Sequence, residues 1–245
     1  MAKRIVITGA GVGLGRRLAL RFAADGDTVI LLGRTGAKVE AVAAEIGERA
    51  MALECDVSSP QSVRAAFAAI AKRFDAIDVL INNAALFEPF KLAAATDEQI
   101  LAGITTNVCG PMFCSRSAIP MMARGAHIIN ISSESISLPL PHFTIYQSSK
   151  AAVETFSEKL ALELEPDGIR VTAVRCGKMY EEGKQWDIPR EAAIAFHEEC
   201  MKRGINPREQ PISQFSSMES IFRTLIDLPA DVHLDFVSAC ARYPQ

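Results

Sequence analysis

Short apolar runs alternate with segments of helical period from one end of this chain to the other, a pattern that demands a parallel sheet covered on both faces. Seven strands are expected: Ile5 to Ile7, Val29 to Leu32, Met51 to Leu53, Val79 to Ile81, Ile128 to Ile131, Val171 to Val174 and His233 to Val237. Helices are expected between them, over Leu14 to Ala24, Ala37 to Gly47, Gln61 to Phe74, Asp97 to Thr105 continuing toward Met122, Tyr146 to Glu165, and Ser217 to Asp227. Ser59-Pro60 and Thr96-Asp97 supply start signals, a capping hydroxyl followed by proline or acids. Crossovers of this length are right-handed. With 245 residues, 49% of them apolar, the chain suits one large core, so residues 1–245 are read as a single domain. Gly177 to Ser216 breaks the alternation by mixing Gly204, Pro189, Pro207 and Pro211 with Trp186, Phe196 and many charges. A long excursion of that kind is read as a substrate lid over about residues 177–216.

Several function classes are disfavoured by composition. A formal charge of −3 gives no electrostatic footprint for nucleic acid or an anionic membrane. Six cysteines and four histidines show no ligand spacing, so no metal is expected. The first strand begins almost at the initiator, no apolar run approaches the ~20 residues of a membrane span, and scattered thiols suit a reducing compartment. A cytoplasmic protein without a membrane partner is expected.

Directly after the first strand comes Thr8-Gly9-Ala10-Gly11-Val12-Gly13-Leu14-Gly15, which opens the first helix. Glycines there permit a tight turn and close backbone approach, and the helix start offers amides to phosphate oxygens. With the alternation, this gives the expected fold class: α/β, a Rossmann-like, doubly wound, parallel seven-stranded sheet with helices on both faces. About 20 residues further on, where such folds meet the adenosine ribose, stand Gly33 and Arg34. A carboxylate there selects NAD, whereas Arg34, with Lys38 one turn later, suits a 2′-phosphate. NADP(H) is therefore expected in preference to NAD(H), against the alternative that Arg34 is an ordinary exposed loop arginine.

Tyr146 and Lys150 lie four residues apart on one expected helix. That spacing rises ~6 Å, so phenol and ammonium can act on one bound molecule. A cation beside a tyrosine favours the phenolate. Lowering its pKa by ~3 units corresponds to ~4 kcal/mol, enough to make it a general acid or base near neutrality. Alone the pair is weak evidence, because such spacings arise often on solvated helix faces.

With TGxxxGxG at 8–15 and YxxxK at 146–150, the chain resembles the classical short-chain dehydrogenase/reductase family over almost its whole length. Asp56-Val57 resembles the pair that holds the adenine, and Asn82-Asn83-Ala84-Ala85 the family's NNAG turn with alanine in the last place. Asn107 matches the mid-helix asparagine, and Ser133, thirteen residues before Tyr146, has the spacing of the catalytic serine. The resemblance implies hydride transfer between a nicotinamide and a ketone or secondary alcohol of a small or medium metabolite. It implies that Tyr146 exchanges the proton, Lys150 holds the nicotinamide ribose and acidifies the phenol, Ser133 hydrogen-bonds the substrate oxygen, and Asn107 interrupts the helix ladder to support a water beside Lys150. Cofactor contacts are implied at Gly9, Gly11, Gly13, Leu14, Gly15, Arg34, Asp56, Val57, Asn83, Ala84, Tyr146, Lys150 and Gly177. Substrate contacts are assigned to Ser133, Phe87, His142, Phe143 and Tyr180, with Trp186 in the lid. A homodimer or homotetramer is implied, with altered geometry because the last strand lacks the family's glycine-rich motif.

The likeness fails after the sixth expected strand. Arg175-Cys176-Gly177-Lys178 has cysteine where the family has proline, and no threonine follows at the family's place. Cys176 is read as a small buried thiol, and Lys178 as a replacement ligand for the pyrophosphate. Two other functions stay open: a sugar-nucleotide epimerase or dehydratase, against which the glycine spacing and short C-terminal region argue, and a cofactor-binding sensor or interaction protein with weak or no turnover. Nucleophilic hydrolysis is disfavoured, since neither GxSxG nor SxxK is present.

Overall fold

The computed structural model describes residues 2–180, 188–229 and 231–242. Seven parallel strands form the main sheet: β1 (Arg4–Thr8), β2 (Thr28–Gly33), β3 (Ala50–Glu54), β4 (Val79–Asn82), β5 (His127–Ser133), β6 (Arg170–Cys176) and, last in the chain, β9 (Phe236–Ala239). Their spatial order is β3-β2-β1-β4-β5-β6-β9, so the direction of winding reverses between β1 and β4. The crevice at the carboxyl ends of those two strands is where open α/β sheets bind ligands. All seven expected strands are present; the last begins at Phe236 rather than His233.

Alternate residues of each strand feed two cores. Ile5, Ile7, Val29, Leu31, Val79 and Ile81 pack on one face against α1 (Gly13–Ala24) and α8 (Phe215–Asp227), with Phe22 and Phe222 fully buried between them. Val6, Ile30, Leu32, Leu80 and Ile128 pack on the other against α3 (Pro60–Ala71), α5 (Gly110–Ala118) and α6 (Thr144–Leu164). Burying each such side chain stabilises the fold by about 1.5–3 kcal/mol, which is what fixes the strand faces. α2 (Gly36–Ile46) covers the β2–β3 edge through Val39 and Val42.

Helix starts follow their local chemistry. The Ser59 hydroxyl accepts from Ser62 N at 3.2 Å, with Pro60 at the first helical position. α4 (Asp97–Ile104) opens on a reciprocal box between Thr96 and Gln99. The expected helix from Asp97 toward Met122 is interrupted: residues Thr105–Cys109 widen into a π turn before α5. The segment after β6 is more ordered than its composition suggests. A short parallel ladder joins β7 (Met179–Tyr180) to β8 (Ser213–Gln214), and α7 (Arg190–Lys202) lies between them in the chain.

Candidate active site

Thr8 closes β1 and organises the turn that follows. Its hydroxyl accepts from the amides of Asn83 and Ala84 at 2.9 and 3.0 Å, while the Asn83 amide nitrogen donates to Thr8 O and Gly9 O at 2.8 and 3.3 Å. The expected NNAG-like turn is thereby tied to the glycine turn. Gly9 has φ +66° and Gly13 φ +55°, conformations that glycine adopts without strain. A Cβ on Gly15 would lie 2.5 Å from the Gly9 oxygen, and one on Gly11 would lie 2.9 Å from the Lys38 Cβ. These crowded positions make a cradle that side chains would fill. Val12, the residue before α1, makes no side-chain cap, so the first helical amides suit an anion. Leu14 buries its side chain in the core, leaving its backbone for a ligand.

Arg34 is exposed on the loop after β2, and Lys38, exposed in the first turn of α2, stands beside Gly11 of the cradle. Glu54, in register with Gly33 across the β2–β3 pair, brings its carboxylate to 2.8 Å from where a Cβ on Gly36 would stand. Asp56 holds Ser58 through its Oδ1, accepting from the Ser58 amide and hydroxyl at 2.9 and 2.7 Å. Val57 is buried against Gly110.

At the carboxyl end of β5 and the start of α6, the expected catalytic residues converge. Tyr146 stacks at a tilt between Phe143 and Phe87, with ring centroids 5.5 and 6.1 Å away. Burial pushes the phenol up to about 12, against a hydrogen bond with the Ser133 side chain that pulls it down. The expected acidified phenol is therefore corrected. The Lys150 ammonium donates to Ile131 O at 2.7 Å and lies 5.9 Å from the centre of the Tyr146 ring. Burial also lowers Lys150 itself to about 8, with the Cys176 thiol opposing. Desolvation outweighs the helical-pair electrostatics that the spacing suggested.

Asn107, 1% exposed in the π turn, accepts from Leu86 N and donates to Leu86 O, both at 2.8 Å, and donates to the Ser149 hydroxyl at 3.0 Å. It ties the segment leading to Phe87 to the helix carrying Tyr146. Cys176 is the buried thiol expected, in register with Ser133, and burial pushes it up to about 12. Lys178, expected at the pyrophosphate, donates from Nζ to Pro207 O at 2.7 Å within the following segment.

Among the expected substrate residues, Phe143 packs on Phe196 of α7 at 4.9 Å between centroids, in a cluster with Leu140, Tyr146, Cys200 and Ile205. His142 has φ +62° and a buried Nε2 without a partner. Burial and the Lys91 charge hold its pKa low, with Glu199 opposing. Phe87 and Tyr180 are exposed, Tyr180 on β7. Trp186 lies outside the described residues.

The sequence reading missed Thr8 as a hub and missed a network beneath the site. Ser132 Oγ donates to Glu154 Oε1 at 2.7 Å, and Glu154 pairs with Arg175 through two bonds of 2.9 and 2.7 Å. Glu154 stands four residues after Lys150, which was the available signal. Among the described residues, no cluster of His, Cys, Asp or Glu is arranged to hold a metal, and no helix is long and apolar enough to cross a membrane.

A short chain dehydrogenase family model matches residues 3–186. The chain belongs to the short-chain dehydrogenase family. Family members bind a nicotinamide cofactor, and this chain is an oxidoreductase of that family. It is 33% identical over 230 residues to galactitol 2-dehydrogenase of Agrobacterium fabrum, covering 89% of this chain and 87% of that one. A short-chain dehydrogenase from Streptomyces avermitilis superposes with a TM-score of 0.84 at 25% identity, covering 99% of this chain and 89% of that one. One from Burkholderia cenocepacia, solved with NADP, superposes with a TM-score of 0.80 at 27% identity, covering 96% and 95%.

Proposed function

We propose that this oxidoreductase uses NADP(H) in preference to NAD(H) and interconverts a ketone and a secondary alcohol on a small or medium metabolite. The reading rests on Ser133, Tyr146 and Lys150 meeting at the carboxyl end of β5, on the same edge of the sheet as the glycine turn after β1. A nicotinamide held there supplies the hydride; the chain supplies orientation and proton handling. The Tyr146 hydroxyl carries the proton exchanged with the substrate oxygen, and Ser133 donates to that oxygen as charge develops on it. Lys150, with its charge balanced near neutrality, holds the cofactor ribose and restores the proton on Tyr146. Asn107 keeps the wall below Phe87 in register with α6 and supports proton return from Lys150.

Gly9, Gly11, Gly13 and Gly15 receive the pyrophosphate, Asp56 and Val57 the adenine, Asn83 and Ala84 the ribose, and Gly177 the nicotinamide. Arg34, exposed on the loop after β2, favours the 2′-phosphate together with Lys38. Phe87, His142, Phe143 and Tyr180 line the substrate side, and residues 177–216 form the lid. Exposed Leu101 on α4, Met112 on α5 and Leu162 on α6 support assembly as a homodimer or homotetramer. All six cysteines are free, which suits a cytoplasmic setting.

The test is a fluorescence titration with NADPH and NADH, followed by a carbonyl panel with the tighter cofactor. Turnover that disappears in Tyr146→Phe while cofactor binding persists supports the reading. Tight binding without turnover of any carbonyl or alcohol favours a sensor. Tighter binding of NADH, with Arg34→Ala leaving the ratio unchanged, overturns the NADP(H) preference.

A further inference from the structure

Glu134 follows Ser133 directly, and its carboxylate crosses to the chain leaving β6. Its Oε1 accepts from the Lys178 amide at 2.6 Å. A Cβ on Gly177 would stand 3.2 Å from the same oxygen, so the glycine leaves a path for the carboxylate over the backbone. From that point, Lys178 anchors the next segment three ways: its amide to Glu134, its carbonyl to Ser213 N at 3.1 Å, and its ammonium to Pro207 O at 2.7 Å. Gly177 N is itself held by Ala239 O at 2.9 Å. The root of the 177–216 segment is therefore fixed on one side by the last strand and on the other by a side chain of the serine turn.

We propose that Glu134 is a positioning residue that locks the Gly177–Lys178 backbone to the Ser133 turn, supplying a rigidity that cysteine at position 176 does not. A proline preceding Gly177 would restrict φ; Cys176 lacks that ring and is held only by its pairing with β5 and β9, and the carboxylate brace immobilises the backbone just beyond it. The braced segment leaves the carboxyl end of β6, on the rim where ligands bind in sheets of this kind. Ser133 and Cys176 are register partners, so motion of the segment is motion beside the reacting atoms. The inference rests on the nicotinamide-binding reading of that rim, and its core claim concerns the order of the Lys178 amide.

Reach, rather than charge, does the bracing: glutamine keeps both length and an acceptor oxygen, whereas aspartate keeps the charge and falls one methylene short. Amide hydrogen exchange on the full chain without cofactor reads the claim directly. Exchange of a peptide spanning Lys178 rises at least tenfold in Glu134→Asp and Glu134→Ala and stays within twofold of wild type in Glu134→Gln, with the β1 and β4 peptides unchanged. With NADPH, the aspartate and alanine variants raise the cofactor Kd and KM about tenfold while kcat at saturation stays within threefold, and the glutamine variant restores both. Unchanged Lys178 exchange in the aspartate and alanine variants overturns the proposal, as does glutamine behaving like alanine. Faster exchange with unaltered cofactor Kd keeps the brace and removes its role on the binding rim. If wild type binds neither NADPH nor NADH, the functional reading fails while the exchange result stands on its own.

Discussion

Replacing Lys150 by methionine isolates the electrostatic cost of this active site. Lys150 is 4% exposed, and burial lowers its pKa from 10.5 to about 8. At 1.36 kcal/mol per unit, the folded chain carries about 3 kcal/mol of unfavourable free energy when that ammonium is charged. Below about pH 8 folded and unfolded chains both hold the proton, so the full cost is present and flat. Between about 8 and 10.5 the unfolded chain still binds a proton that the folded chain has released, and stability rises with pH. Integrating from pH ~7 to ~10 gives about 2–3 kcal/mol. Methionine matches the length without a titrating group. It leaves Ile131 O without its 2.7 Å donor, a pH-independent loss of about 1–3 kcal/mol. The slope of the difference between the two proteins is therefore diagnostic, whereas its height is not. Tyr146 and Cys176, both pushed up by burial, act in the opposite sense as their unfolded forms lose protons at alkaline pH; Tyr146 does so in both proteins, and because Cys176 also feels the Lys150 charge, the comparison is made in a Cys176→Ala background. Urea unfolding followed by circular dichroism at four pH values from ~7 to ~10 should show the protein with Lys150 gaining about 2–3 kcal/mol on the variant. Parallel pH curves would mean that Lys150 is not charged at a cost, and the account of a desolvated site would be wrong.

Three further substitutions test separate parts of the architecture. Gly15→Ala places a Cβ 2.5 Å from Gly9 O and 2.6 Å from the Asn83 amide nitrogen; the expected result is a loss of about 1–3 kcal/mol in a denaturant melt and a cofactor Kd raised more than tenfold. Thr8→Val keeps the shape but leaves the Asn83 and Ala84 amides without their acceptor, about 2 kcal/mol of stability, read by thermal denaturation against Thr8→Ser, which should recover most of it. Phe196→Ala removes the ring packed 4.9 Å from Phe143, about 3 kcal/mol of packing. That loss should appear as faster hydrogen exchange in α7 and a higher substrate KM, with α1 and α3 unaffected.

How far the architecture could be read beforehand depended on whether burial was two-sided. β1, β2, β4, β5 and β6 lie inside the sheet and bury both faces, so their sequences are continuous apolar runs; β3, half-buried at the other edge, keeps a shorter run, and all six appeared where expected within a residue or two. β9 lies at the sheet edge with Phe236 exposed; its weaker pattern displaced its expected start by three residues. α7 escaped detection because its buried contribution is essentially Phe196 and Cys200, one helical turn apart, while its other large apolar residues, Ile194 and Met201, face solvent. An apolar stripe that narrow does not stand out from a polar loop, and the prolines around it argued for irregular chain. The π turn at 105–109 was likewise invisible as geometry, although the residue that benefits from it, Asn107, was singled out. Its amide satisfies the Leu86 backbone and the Ser149 hydroxyl together, a job that only a buried asparagine side chain on a bulged helix performs at that place.

The chemistry was less legible than its residues, and the reason is general. Spacing along a helix tells which groups are neighbours; it says nothing of how much water each has lost. From spacing alone a lysine beside a tyrosine predicts a more acidic phenol. In the folded chain the ammonium is spent on Ile131 O, the phenol is walled by Phe87 and Phe143, and burial moves the two groups toward their neutral forms, Tyr146 up and Lys150 down. In the resting chain the phenol is therefore neutral, beside an amine lowered toward pH 8. The low dielectric that raises Tyr146 also strengthens any charge later placed beside it. A cation held beside Tyr146 in that pocket would therefore favour the phenolate more strongly than the same cation would in water. The aromatic wall that keeps the resting phenol neutral would thus make its acidity depend on the charge of whatever group is held beside it.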